Sequence, residues 1–131
     1  MTAMPDNYDV IVLGLGAMGS AAVRHLARRG VSVLGLEQFG PAHALGSSHG
    51  DSRIVRMAYF EHPDYVPLLR RAYPLWDELA ADVGRPLFVR TGALMIGAEG
   101  SAVVRGTLAS VARWGLAHEV LDRATMQQRY P

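Results

Sequence analysis

Between Tyr8 and Gln38 the chain reads YDVIVLGLGAMGSAAVRHLARRGVSVLGLEQ. No other stretch limits the fold as tightly. Asp9–Leu13 is short, apolar and β-branched, and it is bounded by turn residues. Such a run suits a parallel strand buried on both faces. Gly14, Gly16 and Gly19 follow in the G-x-G-x-x-G spacing, with Ala17 and Met18 between them. Gly14 permits a tight turn out of the strand. Gly16 has no Cβ, so a pyrophosphate can approach the backbone, and Gly19 lets the next helix pack closely on the sheet. The start of that helix carries unpaired N–H groups and a partial positive charge, which suit a phosphate. Ala21, Ala22, Leu26 and Ala27 continue as the inward helix face, leaving Arg24, Arg28 and Arg29 for solvent, and Gly30 reads as the residue just past the helix end. Val31–Leu36 is the second strand. Glu37 closes it where a carboxylate accepts both ribose hydroxyls of adenosine and repels a 2′-phosphate. Strand, turn, helix, strand and acid in this order predict a site for the ADP half of a dinucleotide. A doubly wound sheet whose glycines only make a tight turn would leave Glu37 unexplained.

A chain of 131 residues is long enough for one domain with a core. Half its residues are hydrophobic and its net charge is only +1, which argues against a nucleic-acid or membrane-surface partner. Without cysteine it has no disulfide, thiolate metal site or thiol nucleophile. The start, MTAMPDNYD, lacks a basic region followed by an apolar stretch, and no apolar run reaches the length of a membrane span. A soluble cytoplasmic protein is the default expectation. One βαβ unit supplies two parallel strands where the usual nucleotide-binding half needs a third. The chain is therefore expected to be an amino-terminal fragment of a larger protein.

Residues 38–45, QFGPAHAL, read as a loop leaving the carboxyl end of the second strand, the edge where open α/β sheets bind ligands. Residues 46–53, GSSHGDSR, are dense in glycine and small polar residues, and IVRMAY follows directly. Arg53 and Arg56 thus fall on a segment expected to be half-buried, and they share one side if it is helical. Such arginines bind an anion or form ion pairs; Asp51 and Glu61 are candidate structural partners. Residues 64–83 form an amphipathic helix with Val66, Leu69, Tyr73, Leu75 or Trp76, Leu79 and Val83 on one face. Asp64 is its expected N-cap, Pro74 predicts a kink or restart, and Gly84-Arg-Pro86 ends it. Residues 87–97, LFVRTGALMIG, read as two short strands flanking Thr91-Gly92, the start of a second, antiparallel layer. A helix follows over residues 100–114 with Val103, Val104, Leu108, Val111 and Ala112 inward. A strand is expected over 117–121, and Asp122 caps a last helix over 123–130. His25, His43, His62 and His118 lack ligand-like spacing, and no pair of histidines or acids has metal spacing. The serines have no nucleophile-elbow context.

These residues resemble the monomeric sarcosine oxidase and N-methyl-tryptophan oxidase family of amine-oxidising flavoproteins, within the wider D-amino-acid-oxidase-like class. The resemblance runs from Tyr8 to Pro131 and rests on YDVIVLGLGAMGSAA, GSSHGDSRIVRMAY, YVPLLRRAYPLWDEL, RTGALMIG and the terminal RYP. The glycine unit is common to many FAD and NAD proteins, whereas SSHGDSRIVR is much more specific. The resemblance implies FAD as cofactor. It implies a cofactor-binding set of Gly14, Gly16, Ala17, Met18, Gly19, Glu37, Gln38, Ser47, Ser48, Ser52 and Arg53. It implies catalytic roles for Arg53 and His49, with the fixed charge of Arg53 beside the flavin favouring its anionic reduced form. It also implies that Arg56 holds the substrate carboxylate, a role suited to the guanidinium fork. Two departures stand out. Ser48 precedes His49 where relatives often carry a second histidine, and Ser52 stands where threonine is common.

The fold class implied is α/β: a Rossmann-like FAD-binding unit over residues 1–84, then the beginning of an antiparallel substrate-domain layer over 85–131. The function implied is oxidation of a secondary, N-methylated or other small amino acid to an imine, with oxygen as acceptor and hydrogen peroxide as product. Neither nucleic acid nor membrane is an expected partner. An NAD-dependent dehydrogenase remains open from the first unit alone, as does a nucleotide-binding fragment without turnover. In this family an oxygen-activating lysine and a flavin-attaching cysteine would lie beyond residue 131.

Overall fold

The computed structural model describes residues 7–131. They form two compact units, one ending at Arg53 and one spanning Ile54–Pro131.

The first unit is built in the order β1 (Val10–Leu13), α1 (Ala17–Arg28) and β2 (Val33–Leu36). β1 and β2 pair in parallel, with Val10 opposite Val33 and Leu13 opposite Leu36. Asp9 lies just outside β1; its backbone N–H donates to the Ser32 carbonyl at 2.8 Å, and its carboxylate accepts the Ser32 N–H at 3.0 Å. Helix α1 ends with Arg29 at the cap and Gly30 at φ +76°, whose N–H donates to the Ala27 carbonyl at 2.9 Å. Glycine is at home there because the left-handed region clashes with a Cβ.

Two details differ from the sequence reading. The strands are not buried on both faces: Ile11 and Leu13 are 57% and 79% exposed, because among the described residues of the first unit only α1 is present to cover the two-stranded sheet. The inward face of α1 is also rotated. Ala21, Ala22 and Ala27 are exposed, while Val23 and Leu26 are half-buried. Gly35 of β2 explains the shift. A Cβ there would meet Leu15 Cδ2 at 2.7 Å and Val23 Cγ2 at 3.3 Å, so the missing side chain is the space those two residues fill.

The second unit holds α2 (Tyr65–Val83), α3 (Ala102–Trp114) and α4 (Arg123–Arg129). Its centre is Val66 and Leu69 of α2 with Ser110 and Val111 of α3, all buried. The segment before α2 docks on α3 by polar contacts. Ser110 Oγ donates to the Tyr59 carbonyl at 2.6 Å, and Trp114 Nε1 donates to that of Pro63 at 2.7 Å. Gly106 makes the approach possible, since a Cβ there would lie 1.9 Å from the Phe60 carbonyl oxygen. Ser101 and Asp122 cap α3 and α4 by accepting the N–H of Val104 and Thr125, as such residues do.

Asp64 precedes α2 as expected but makes no side-chain cap bond. Its own backbone is already helical, and its carboxylate turns to Arg113 of α3 at 3.1 Å. Helix α2 runs on through Pro74 and stops at Gly84, φ +68°. Leu108, Ala112 and Val83 are exposed rather than inward. Residues 87–97 and 117–121 form no strand, because a strand exists only with a hydrogen-bonded neighbour and the described residues supply none. No helix among the described residues is long and apolar enough to cross a membrane.

Candidate functional site

The turn from β1 into α1 begins at Gly14, φ +85°, whose N–H donates to the Leu36 carbonyl at 2.7 Å. A Cβ on Gly14 would meet nothing within 4 Å. One on Gly16 would meet only Ser48 Oγ, at 3.4 Å. Gly19 is different: its Cβ would fall 1.8 Å from the Gly14 carbonyl oxygen. The first two glycines therefore leave open space above the turn, and the third closes helix onto strand. That division matches the separate tasks of anion approach and helix packing.

Glu37, directly after β2, reaches across to this turn. Its Oε2 accepts the Leu15 N–H at 2.7 Å, and its Oε1 accepts those of Gln38 at 2.9 Å and Phe39 at 3.3 Å. The Leu15 N–H is the main cause that holds the carboxyl below its ordinary 4.5. Desolvation opposes the shift, and the Phe39 and Gln38 N–H groups and His43 add to it. The acid is thus ionised and aimed at the glycine turn. Leu13, Gly14, Leu36, Glu37 and Gln38 line one cleft at the carboxyl ends of the two strands, where open α/β sheets take their ligands.

The loop of residues 46–53 is anchored on the same turn. Ser48 Oγ accepts the Ala17 N–H at 3.0 Å, satisfying one of the amides that a helix start leaves without an intrahelical partner. Gly16, the cap residue of α1, has no side chain to do so. Arg53 folds back over the loop, donating to the carbonyls of Ser52 at 2.8 Å and Ser47 at 2.9 Å. Gly50, φ +112°, makes room: a Cβ would stand 2.9 Å from Arg53 Nη1. His49 Nδ1 contacts the Gly46 carbonyl. Met18, His49, Ser52 and Arg53 are exposed.

Glycine turn, Glu37 and Ser48 are thus brought together in the first unit, with Gln38 beside Glu37. Arg56 belongs to the second unit. Its segment is not helical, so the condition for sharing a helix side with Arg53 is not met; Arg53 is exposed and Arg56 half-buried. The Arg56 guanidinium lies over the Tyr59 ring, 4.8 Å from its centroid, and 3.8 Å from Glu61 Oε1. The guanidinium thus has a cation–π contact with Tyr59 and only a long contact with the Glu61 carboxylate. Sequence reading passed over His43, which stands 3.5 Å from Glu37 Oε1. No spacing rule marks it, because a loop creates the contact. Among the described residues, no group of three or more metal-ligating side chains stands where it could hold an ion.

These features fit an adenine dinucleotide: an open glycine turn for the diphosphate, and an ionised acid at the neighbouring strand end for the ribose. Comparison with known proteins agrees. Residues 9–131 match the model of the family described as FAD dependent oxidoreductase. A monomeric sarcosine oxidase of Streptomyces avermitilis is 52% identical over 128 residues, 98% of this chain and 33% of that protein. The N-methyl-L-tryptophan oxidases of Salmonella dublin and Salmonella typhimurium are each 41% identical over 125 residues, 95% of this chain and 34% of theirs. The chain spans about a third of the length of these curated relatives. With the family model matched over nearly its whole length, the chain belongs to the FAD dependent oxidoreductase family.

Proposed function

We propose that the full-length protein oxidises a secondary, N-methylated or other small amino acid to an imine. In this reading bound FAD would supply the two-electron redox chemistry that takes the amine to the imine, with oxygen as the final acceptor and hydrogen peroxide as the product. Water then hydrolyses the imine.

This chain's own residues have separate tasks. Gly14 and Gly16 keep the turn open, and the start of α1, with Ala17 and Met18, receives the diphosphate. Glu37, with Gln38 beside it, receives the adenosine ribose. Ser47, Ser48, Ser52, His49 and Arg53 line the flavin side, where the Arg53 charge favours the electron-rich reduced ring. Arg56 binds the substrate carboxylate through its fork and so orients the amine. Residues 1–84 belong to the FAD-binding portion and 85–131 begin the substrate domain. Residues 87–97 become strands of an antiparallel layer once partner strands are present. A soluble, cytoplasmic location fits a small polar substrate.

The observation that carries the reading is the Glu37 carboxylate held against the glycine turn by the Leu15 N–H at 2.7 Å. The printed names of the relatives, a sarcosine oxidase and N-methyl-L-tryptophan oxidases, support the substrate class. The test is an absorbance spectrum of the full-length protein, with flavin bands expected near ~450 nm. A peroxide assay on sarcosine and N-methyl-tryptophan goes with it. A protein without flavin bands rejects the reading. Flavin bands without peroxide from any N-methyl amino acid reject the substrate class.

A further inference from the structure

Among the described residues Ser110 is the one buried polar side chain, at 0% exposure. It stands mid-helix in α3, where a serine usually turns to solvent or donates back to a carbonyl one turn earlier. Its Oγ instead donates to the Tyr59 carbonyl at 2.6 Å, across fifty-one residues of sequence. Two residues on the same face of α3, one turn before and one turn after, grip the same segment. Gly106 admits the Phe60 carbonyl oxygen, which lies 1.9 Å from where a Cβ would stand. Trp114 Nε1 donates to the Pro63 carbonyl at 2.7 Å. Residues 59–63 are thus fastened to α3 by their backbone.

That segment carries the ring beside Arg56. The guanidinium lies 4.8 Å from the Tyr59 centroid. Tyr65, at the start of α2, packs on the Tyr59 ring with centroids 5.4 Å apart. A cation held over an aromatic ring is drawn to where the ring stands. The Tyr59 carbonyl, the point where Ser110 holds the chain, belongs to the residue that carries this ring.

We propose that Ser110 is a positioning residue for the substrate carboxylate. By holding the Tyr59 backbone it keeps the ring in place beside Arg56, and so presents the guanidinium fork in one position to both carboxylate oxygens. The proposal rests on the carboxylate role of Arg56 given above.

A double-mutant cycle in the full-length protein tests it, with sarcosine and N-methyl-tryptophan as substrates at saturating oxygen. Ser110→Ala should lower kcat/KM about fivefold. The loss should lie in KM, with kcat within about twofold of the parent and flavin content normal. In the Arg56→Met background the same substitution should change kcat/KM by less than about twofold, because its effect passes through the missing guanidinium. Unchanged kcat/KM in Ser110→Ala, a loss carried by kcat, or equal losses in both backgrounds overturn the proposal, since a merely structural serine acts whether or not Arg56 is present. If the alanine variant does not fold, Ser110→Cys, similar in size with a weaker donor, takes its place in the same two backgrounds. A kcat/KM equal to the parent's, or equal losses in both, then overturns it. A parent-like KM in Arg56→Met rejects the carboxylate role itself, separately from Ser110.

Discussion

Glu37 Oε2 accepts the Leu15 backbone N–H at 2.7 Å, so the acid that follows β2 clamps the turn that follows β1. The clamp spans twenty-two residues of sequence. It fixes the glycine turn, and in the proposed function the same carboxylate faces the ribose.

The clamp makes the turn sensitive to acid. The Glu37 carboxyl is held below its ordinary 4.5, first of all by the Leu15 N–H. A depressed folded-state value stabilises the fold at pH above the unfolded value and is lost as pH falls through the folded one. Stabilisation by Glu37 is therefore complete above about pH 4.5 and is lost progressively as pH falls from there through the lower folded value. Hydrogen exchange at the Leu15 amide reads this directly. Protection should fall as pH drops below 4.5, after correction for the intrinsic exchange rate, and Glu37→Gln should remove that dependence. A pH dependence that survives in Glu37→Gln assigns the effect elsewhere.

Gly16 and Gly19 should fail in different ways. At Gly19 a methyl group would meet the Gly14 carbonyl oxygen at 1.8 Å, so Gly19→Ala must push α1 off β1. Overpacking of this kind costs about 1–3 kcal/mol or more. At Gly16 the nearest atom lies at 3.4 Å and φ is −64°, so Gly16→Ala should fold normally and lose FAD. Melting temperature and flavin content of the full-length variants, measured together, separate the two.

Gly50→Ala tests the fold of the 46–53 loop. The new methyl group would sit 2.9 Å from Arg53 Nη1, on a backbone at φ +112°. A side chain in that conformation costs about 1–3 kcal/mol. Arg53 should lose its bond to the Ser47 carbonyl, and limited proteolysis should cut the loop faster than in the parent. Unchanged cleavage would falsify the view that Arg53 closes the loop.

Arg56→Met should raise the KM for the amino acid while flavin content stays normal. Loss of a desolvated charge-assisted contact costs on the order of 2–5 kcal/mol. Glu61, 3.8 Å from the guanidinium, competes for it, so Glu61→Gln should lower KM or leave it unchanged. Steady-state kinetics at saturating oxygen measure both. A normal KM in Arg56→Met rejects the carboxylate role.

The glycine turn could be read from sequence because its geometry is local. Gly14 turns the chain at φ +85° and Gly19 answers a steric demand set by the Gly14 carbonyl, both within a few positions, and Glu37 follows at a distance fixed by one helix and one strand. The helix starts capped by Ser101 and Asp122 are local in the same way. The strands expected at 87–97 and 117–121 failed for the opposite reason. Their residues favour extended backbone, but pairing is decided by a distant partner, and the described residues provide none. The inward face of α1 was misread because Gly35, on the following strand, decides which helix residues approach the sheet.

Sequence by itself therefore determined the βαβ unit, its open turn, the acid at the second strand end and the family. Only the tertiary structure decided how those parts are held: Ser48 on the Ala17 amide, Arg53 closing its own loop, Arg56 stacked on Tyr59 instead of aligned with Arg53 on a helix, and His43 against Glu37. Turns and caps depend on neighbours in the chain, whereas these contacts depend on where loops return in space, and no spacing rule encodes that.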